Sequence, residues 1–181
     1  EIWKSPDGLF WDNATGNATS GGNTLGRQNA SFTVYKEKMW ILGGSNGTYQ
    51  SDSWYSANGS AWTLGTSHGG WPGRAKHASA VFNNRLWILG GSNGTAFNDV
   101  WYSMDGINWT LATDNASWSK RSELQSVSYD SKLWVLGGVM DNGRLLHDVW
   151  YSQDGETWLA TDNATWSARK GYQALVFANK I

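Results

Sequence analysis

Twelve letters recur four times along the chain, and they constrain its fold more than any other feature. "DVWYSMDGINWT" at 99–110 returns as "DVWYSQDGETWL" at 148–159, as "DSWYSANGSAWT" at 52–63 and as "EIWKSPDGLFWD" at 1–12. Self-similarity at a fixed period marks stacked units, each of which needs a neighbour to cover its apolar face. The 14 tryptophans keep the same period and fall into four classes. Trp3, Trp54, Trp101 and Trp150 open the motif, and Trp11, Trp62, Trp109 and Trp158 each lie eight residues further on. Trp40, Trp87 and Trp134 sit in "MWILGG", "LWILGG" and "LWVLGG", while Trp71, Trp118 and Trp166 precede Arg74, Arg121 and Arg169 by three. The interval from Trp40 to Trp87 to Trp134 is 47 and 47; from Trp54 to Trp101 to Trp150 it is 47 and 49.

Residues 74–120 show what one unit contains. "HASAVF" alternates small and apolar residues, "NNR" makes a turn, and "LWILGG" is a continuous apolar strand ending in two glycines. "SNGTAFN" is a loop, "DVWYS" a third strand, "MDGIN" a hairpin turn and "WTLAT" a fourth strand. Asp-Gly supplies the positive φ that such a turn needs. Four antiparallel strands in a repeat of this length predict a β-propeller blade.

The order Arg, His, small-apolar strand, apolar strand closing in Gly-Gly, Trp-Tyr and a later Trp resembles the kelch repeat over essentially the whole chain. The glycine pairs Gly43-Gly44, Gly90-Gly91 and Gly137-Gly138 match the family's double glycine. Trp62, Trp109 and Trp158 match its later Trp, with Tyr55, Tyr102 and Tyr151 at the preceding aromatic position. The resemblance implies an all-β, kelch-type propeller and leaves function open, because one fold hosts many roles. The expected division is the last two strands of a split blade at 1–26, blades at 27–73, 74–120 and 121–168, and the first strands of a split or next blade at 169–181. Between Ile181 and Glu1 a segment equivalent to 87–98 is wanting. The chain is then part of a longer propeller, or takes the strand from another chain, or closes imperfectly as four blades.

Composition excludes several functions. Fourteen basic residues stand against 15 acidic, for a net charge of -1, which is no footprint for nucleic acid or an anionic membrane. No apolar run has the length of a membrane span. Cysteine is absent, which removes disulfides, thiolate nucleophiles and Cys metal sites.

Asn-x-Ser/Thr occurs at Asn13, Asn17, Asn29, Asn46, Asn58, Asn93, Asn108, Asn115 and Asn163, nine of the chain's 15 Asn. Asn-Gly at 46, 58 and 93 is also ordinary turn chemistry. "DNATGNATS" at 12–20, however, packs two acceptors into an inserted loop with no packing reason. Covalent N-glycans, and with them an extracellular, secreted location, are the expectation.

Catalytic patterns are not found. His68, His77 and His147 have no metal-ligand spacing, and the counterparts of His77 are Ala30, Leu124 and Tyr172. Arg27, Arg74, Arg121 and Arg169 recur once per repeat. They suit a structural role on loop carbonyls or on the preceding Trp better than an axial anion site. Asp7, Asp105 and Asp154 are replaced by Asn58 in the second copy, which points to a turn. "SQDGETW" is similar to a sialidase Asp-box, one residue short. Kelch propellers include galactose-oxidase-like copper enzymes, whose Cys-Tyr crosslink this chain cannot encode. No catalytic, metal or cofactor residue is assigned.

The expectation is a non-catalytic scaffold or adhesion module that self-associates by strand completion, plausibly as a glycan-coated fibril. The alternative is a carbohydrate- or protein-binding propeller, a segment of a larger secreted protein, reading ligand at the loops 45–52, 92–98 and 139–147. An enzyme in further blades is a third reading. The expected partners are accordingly a second copy or the remaining blades of a longer chain.

Overall fold

The computed structural model describes residues 3–13 and 26–181. Their 14 strands include no helix. The N-terminal strands β1 (Trp3–Lys4) and β2 (Asp12–Asn13) form an antiparallel hairpin that pairs only with itself. Three four-stranded antiparallel sheets follow. The first blade holds β3 (Ser31–Tyr35), β4 (Lys38–Leu42), β5 (Ser53–Ser56) and β6 (Thr63–Thr66), hydrogen-bonded in that order. The second holds β7 (Ala78–Phe82), β8 (Arg85–Leu89), β9 (Val100–Ser103) and β10 (Trp109–Thr113). The third holds β11 (Gln125–Tyr129), β12 (Lys132–Val139), β13 (Leu145–Ser152) and β14 (Leu159–Ala160).

The first strands of successive blades, β3, β7 and β11, lie beside one another, so the blades are laid face to face around their inner edges. Burial follows from that stacking. β8 is sandwiched between the neighbouring blades and is buried at four consecutive positions, Leu86 to Leu89, which is why it reads as an unbroken apolar run. β7 alternates buried and half-buried, and the outer strand β10 has no fully buried residue. Between the first and second blades lie Trp40, Leu42, Trp71, Leu86 and Ile88. Between the second and third lie Trp87, Leu89, Trp118, Leu124, Leu133 and Trp158. Each such Trp withdraws about 150–250 Å², on the order of 4–6 kcal/mol of gross transfer free energy before conformational entropy is counted.

Each inner hairpin turns through two left-handed residues, Lys36 and Glu37, Asn83 and Asn84, or Asp130 and Ser131, as a type I′ turn requires. Ala178 and Asn179 adopt the same conformation near the C-terminus, with a bridge from Phe177 to Lys180. Tyr172 and Ala174 pack on Val127, Leu136 and Val149 of the third blade. Tyr129 donates its hydroxyl to the Asn179 carbonyl at 2.7 Å, as Tyr35 does to that of Asn84 at 2.7 Å. Residues 172–180 therefore hold against the third blade the place that β7 and its turn hold against the first. They form no ladder, because no second strand lies beside residues 172–176 among the described residues. Residues 14–25, with Asn17 and much of the inserted loop, fall outside the described residues.

Candidate functional site

The joint between blades is built on the recurring arginine. The Arg74 side chain is wholly buried; its Nη1 donates to the Gly90 carbonyl at 2.9 Å and to Asp99 Oδ1 at 2.5 Å, and its Nη2 donates to Asp99 Oδ2 at 2.7 Å. Its backbone N–H donates to the Gln50 carbonyl of the preceding blade at 3.0 Å, and its own carbonyl accepts from Gly44 N–H at 2.8 Å. Arg121 repeats the arrangement with Gly137, Asp148, Phe97 and Gly91. Arg27 makes the same guanidinium contacts to Gly43 and Asp52. Trp54, Trp101 and Trp150 each donate their indole N–H to the same carboxylate at 2.7–2.8 Å. Burial raises the Asp148 pKa, but the hydrogen bonds and charge of Arg121 outweigh it and hold the carboxyl below its usual value. The guanidinium groups of Arg74 and Arg121 lie 6.0 and 5.7 Å from the rings of Trp71 and Trp118, so the carboxylate and carbonyls, not the ring, are their close partners.

The glycine pairs serve this joint. All six glycines have positive φ, and a Cβ on Gly43 or Gly90 would lie 2.9 or 3.0 Å from the next blade's arginine carbonyl. A second glycine contact closes the outer edge. Gly106, in the turn between β9 and β10, lies where a Cβ would come within 2.1 Å of Trp40 in the preceding blade, and Gly155 sits likewise at 2.2 Å from Trp87. The turn itself is held by Ser103, whose Oγ accepts from Gly106 N–H at 2.7 Å, and by Asp105, whose Oδ1 accepts from the N–H groups of Ile107 and Asn108 at 2.8 Å. Burial raises the Asp105 pKa, yet those donors bring it down to about 2. Ser5 with Asp7, Ser56 with Asn58 and Ser152 with Asp154 hold the same turn. The indoles complete the edge: Trp71 meets Trp109 at 6.1 Å and 75°, and Trp118 meets Trp158 at 6.0 Å and 89°. Trp40, Trp87 and Trp134 meet Tyr55, Tyr102 and Tyr151 at 5.1–5.3 Å.

At the inner rim one left-handed residue per blade carries a relay. Lys76 N–H donates to the Asn29 carbonyl at 2.9 Å, Glu123 N–H to the Lys76 carbonyl at 2.8 Å, and Gly171 N–H to the Glu123 carbonyl at 3.1 Å. Glu123 also pairs with Lys76 at 2.8 Å and Lys170 at 3.3 Å. A polar recess of about 400 Å³ beside this rim is lined by Asn29, Lys76, His77, Glu123, Gln125 and Tyr172. His77 Nε2 lies 2.8 Å from Ser31 Oγ while Nδ1 has no partner. Burial, with Arg74 nearby, pushes the His77 pKa down to about 3, so the ring is neutral.

Both ends of the blade array are open. On the first blade Phe32 and Val34 are exposed. On the C-terminal side an apolar groove of about 580 Å³ is lined by Leu136, Trp166, Tyr172, Leu175, Phe177 and Ile181. Arg169 borders it; its Nε and Nη2 reach only Ser167, and it pairs with no carboxylate among the described residues. Of the sequon asparagines, Asn13, Asn29, Asn46, Asn58, Asn93, Asn108, Asn115 and Asn163 are all exposed. Asn108 donates its Nδ2 to Asp105 at 2.8 Å, and Asn115 Oδ1 accepts from Asn98 at 2.8 Å. Exposed His68 lies in the loop after β6, and His147 lies within β13, apart from His77 in chain and blade. No group of three or more His, Asp or Glu that could hold a metal occurs among the described residues. Among them no helix is long and apolar enough to cross a membrane.

The residues missed in the sequence are the acceptors, Asp52, Asp99 and Asp148, and the turn serines. The signal was present: the Asp follows its Arg by 25, 25 and 27 residues and precedes the motif Trp by two each time.

Four-stranded antiparallel sheets, stacked face to face with their first strands adjacent, define a β-propeller chain. Residues 73–102 match the family model of the Kelch motif, a span running through the first three strands of the second blade. The chain is a kelch-repeat protein, and its coarse class is that of an interaction scaffold. Among curated proteins none matches it.

Proposed function

We propose that this protein is a non-catalytic, secreted, N-glycosylated scaffold whose copies self-associate through the two open ends of the blade array. The observation that carries this reading is the pair of uncovered faces. Phe32 and Val34 stand exposed at one end, and Leu175 and Phe177, the latter 77% exposed, at the other. A blade is stabilised by a neighbour on each side, so an uncovered face favours another blade. Head-to-tail contacts of this kind build filaments unless the rotation closes. The exposure of eight sequon asparagines supports a glycan coat over the remaining surface. Buried arginines and turn-committed aspartates leave no acid–base pair for catalysis in the blades described.

Sedimentation velocity over a concentration series tests the association, and intact mass before and after N-glycan removal tests the coat. Growth of the sedimentation coefficient with concentration and a collapse to about the 20.0 kDa polypeptide mass are the expected results. A monodisperse, unglycosylated monomer from a secreting host would overturn both parts. Removal of residues 172–181 is expected to abolish association while leaving the inner blades folded.

A second reading, a carbohydrate- or protein-binding propeller, is favoured by the third blade's longer hairpin. β12 and β13 run eight residues each, and a groove of about 410 Å³ opens beside them, lined by Met140, Arg144, His147, Trp150 and Thr161. Saturable binding of a glycan or peptide lost on Arg144→Ala would favour this reading.

A further inference from the structure

We infer that the C-terminal groove of one chain receives the N-terminal hairpin, residues 1–13, of a second copy, so that two chains build one composite blade. The inference rests on the self-association reading and names its contacts. Three features repeated at the formed joints are half-made at the two ends of the chain, and the halves match.

The first is the indole pair. The Trp after each of the first two blades meets the later motif Trp of the next blade edge-on, Trp71 with Trp109 and Trp118 with Trp158. The Trp after the third blade is Trp166, 38% exposed, and the corresponding partner in the hairpin is Trp11, 57% exposed. The second is the glycine turn. Gly106 and Gly155 seat the turn of one blade on Trp40 and Trp87 of the blade before it. Trp134 is only partly buried, and Gly8, with φ +79°, closes the same Ser-x-Asp-Gly turn and has nothing within 4 Å of its Cβ position. The third is charge. Arg169 has no carboxylate among the described residues, whereas Arg27, Arg74 and Arg121 each bind the acid two residues before a motif Trp. In the hairpin that position is Glu1, two residues before Trp3.

The occupant is a second copy rather than the same chain's hairpin, because within one chain Trp11, Gly8 and Trp166 all remain open. The composite blade has no equivalent of residues 87–98. The three contacts lie on the inner segment and the outer hairpin and do not use it.

The test uses the 181-residue chain and sedimentation velocity. Gly8→Asn tolerates the left-handed conformation and meets nothing within its own chain, but it places a Cβ where the equivalent glycines touch a Trp ring. Association is expected to weaken about tenfold or more. Arg169→Glu and Glu1→Arg, each prepared separately, should each associate poorly alone, since like charges then face one another. Mixed in equal amounts they should associate as the parent does, because every joint then pairs opposite charges. If the parent associates and Gly8→Asn associates equally well, or the mixture shows no rescue, this pairing is wrong while self-association through another surface stands. A parent that stays monomeric up to about 1 mM sinks the self-association reading, and this inference with it.

Discussion

At Arg74 the side chain joins a glycine carbonyl and a carboxylate of its own blade while its backbone holds two groups of the preceding one. Replacing Asp99 by Asn leaves a guanidinium of zero side-chain exposure without its counter-charge, and we expect a loss of about 3–5 kcal/mol in urea unfolding. His77 gives a pH signature. Its folded pKa of about 3 lies below the unfolded value of about 6.5, so the unfolded chain binds the proton first and stability falls as pH falls between them. From pH 7 to pH 5 this one group should cost about 2 kcal/mol, and His77→Gln should remove that part of the dependence, as denaturation at the two pH values would report. The joint was only half legible at this scale. Each arginine stood out by period, but its partner is 25 or 27 residues away and is brought in by the two-glycine bend, a through-space fact that spacing does not state.

Among the strands and turns, Gly106 and Gly8 form a controlled comparison, because their φ values are +78° and +79° and only their surroundings differ. Gly106→Ala should destabilise the fold by about 2–4 kcal/mol, since its Cβ would overlap Trp40. Gly8→Ala should cost only the backbone strain, about 1–2 kcal/mol. Thermal or urea unfolding of the two variants decides this, and equal losses would remove the seating role. Strands with an alternating or continuous apolar pattern, such as β7 and β8, were readable from sequence. The Lys36-Glu37 turn was not, because neither residue favours positive φ and the register of Tyr35 with Lys38 imposes it. The missing ladder at 172–176 was likewise unreadable, since pairing depends on a neighbour and not on the strand's own residues.

For the whole molecule, stability should follow position in the stack. The second blade has a neighbour on each face, and Leu86, Trp87, Ile88 and Leu89 are fully buried. Its amides are expected to exchange slowest in hydrogen exchange, with β3 and residues 172–181 faster, as nearest-neighbour coupling predicts. Uniform protection across all three blades would contradict this. The fold class was legible because the period of the tryptophans is a property of the whole chain. Which open face meets which partner was not, because complementarity between two surfaces is written in neither one alone.

The inner-rim relay has a further consequence. Asn29, Lys76, Glu123 and Gly171 occupy the same place in successive repeats, and the bonds between them use only main-chain atoms. An amide, an ammonium, a carboxylate and a bare hydrogen are thus equally compatible with the spacing of the blades. The mouth of the recess works as a row of interchangeable sockets, where a new chemistry can be installed one blade at a time without disturbing the masonry that holds the blades together.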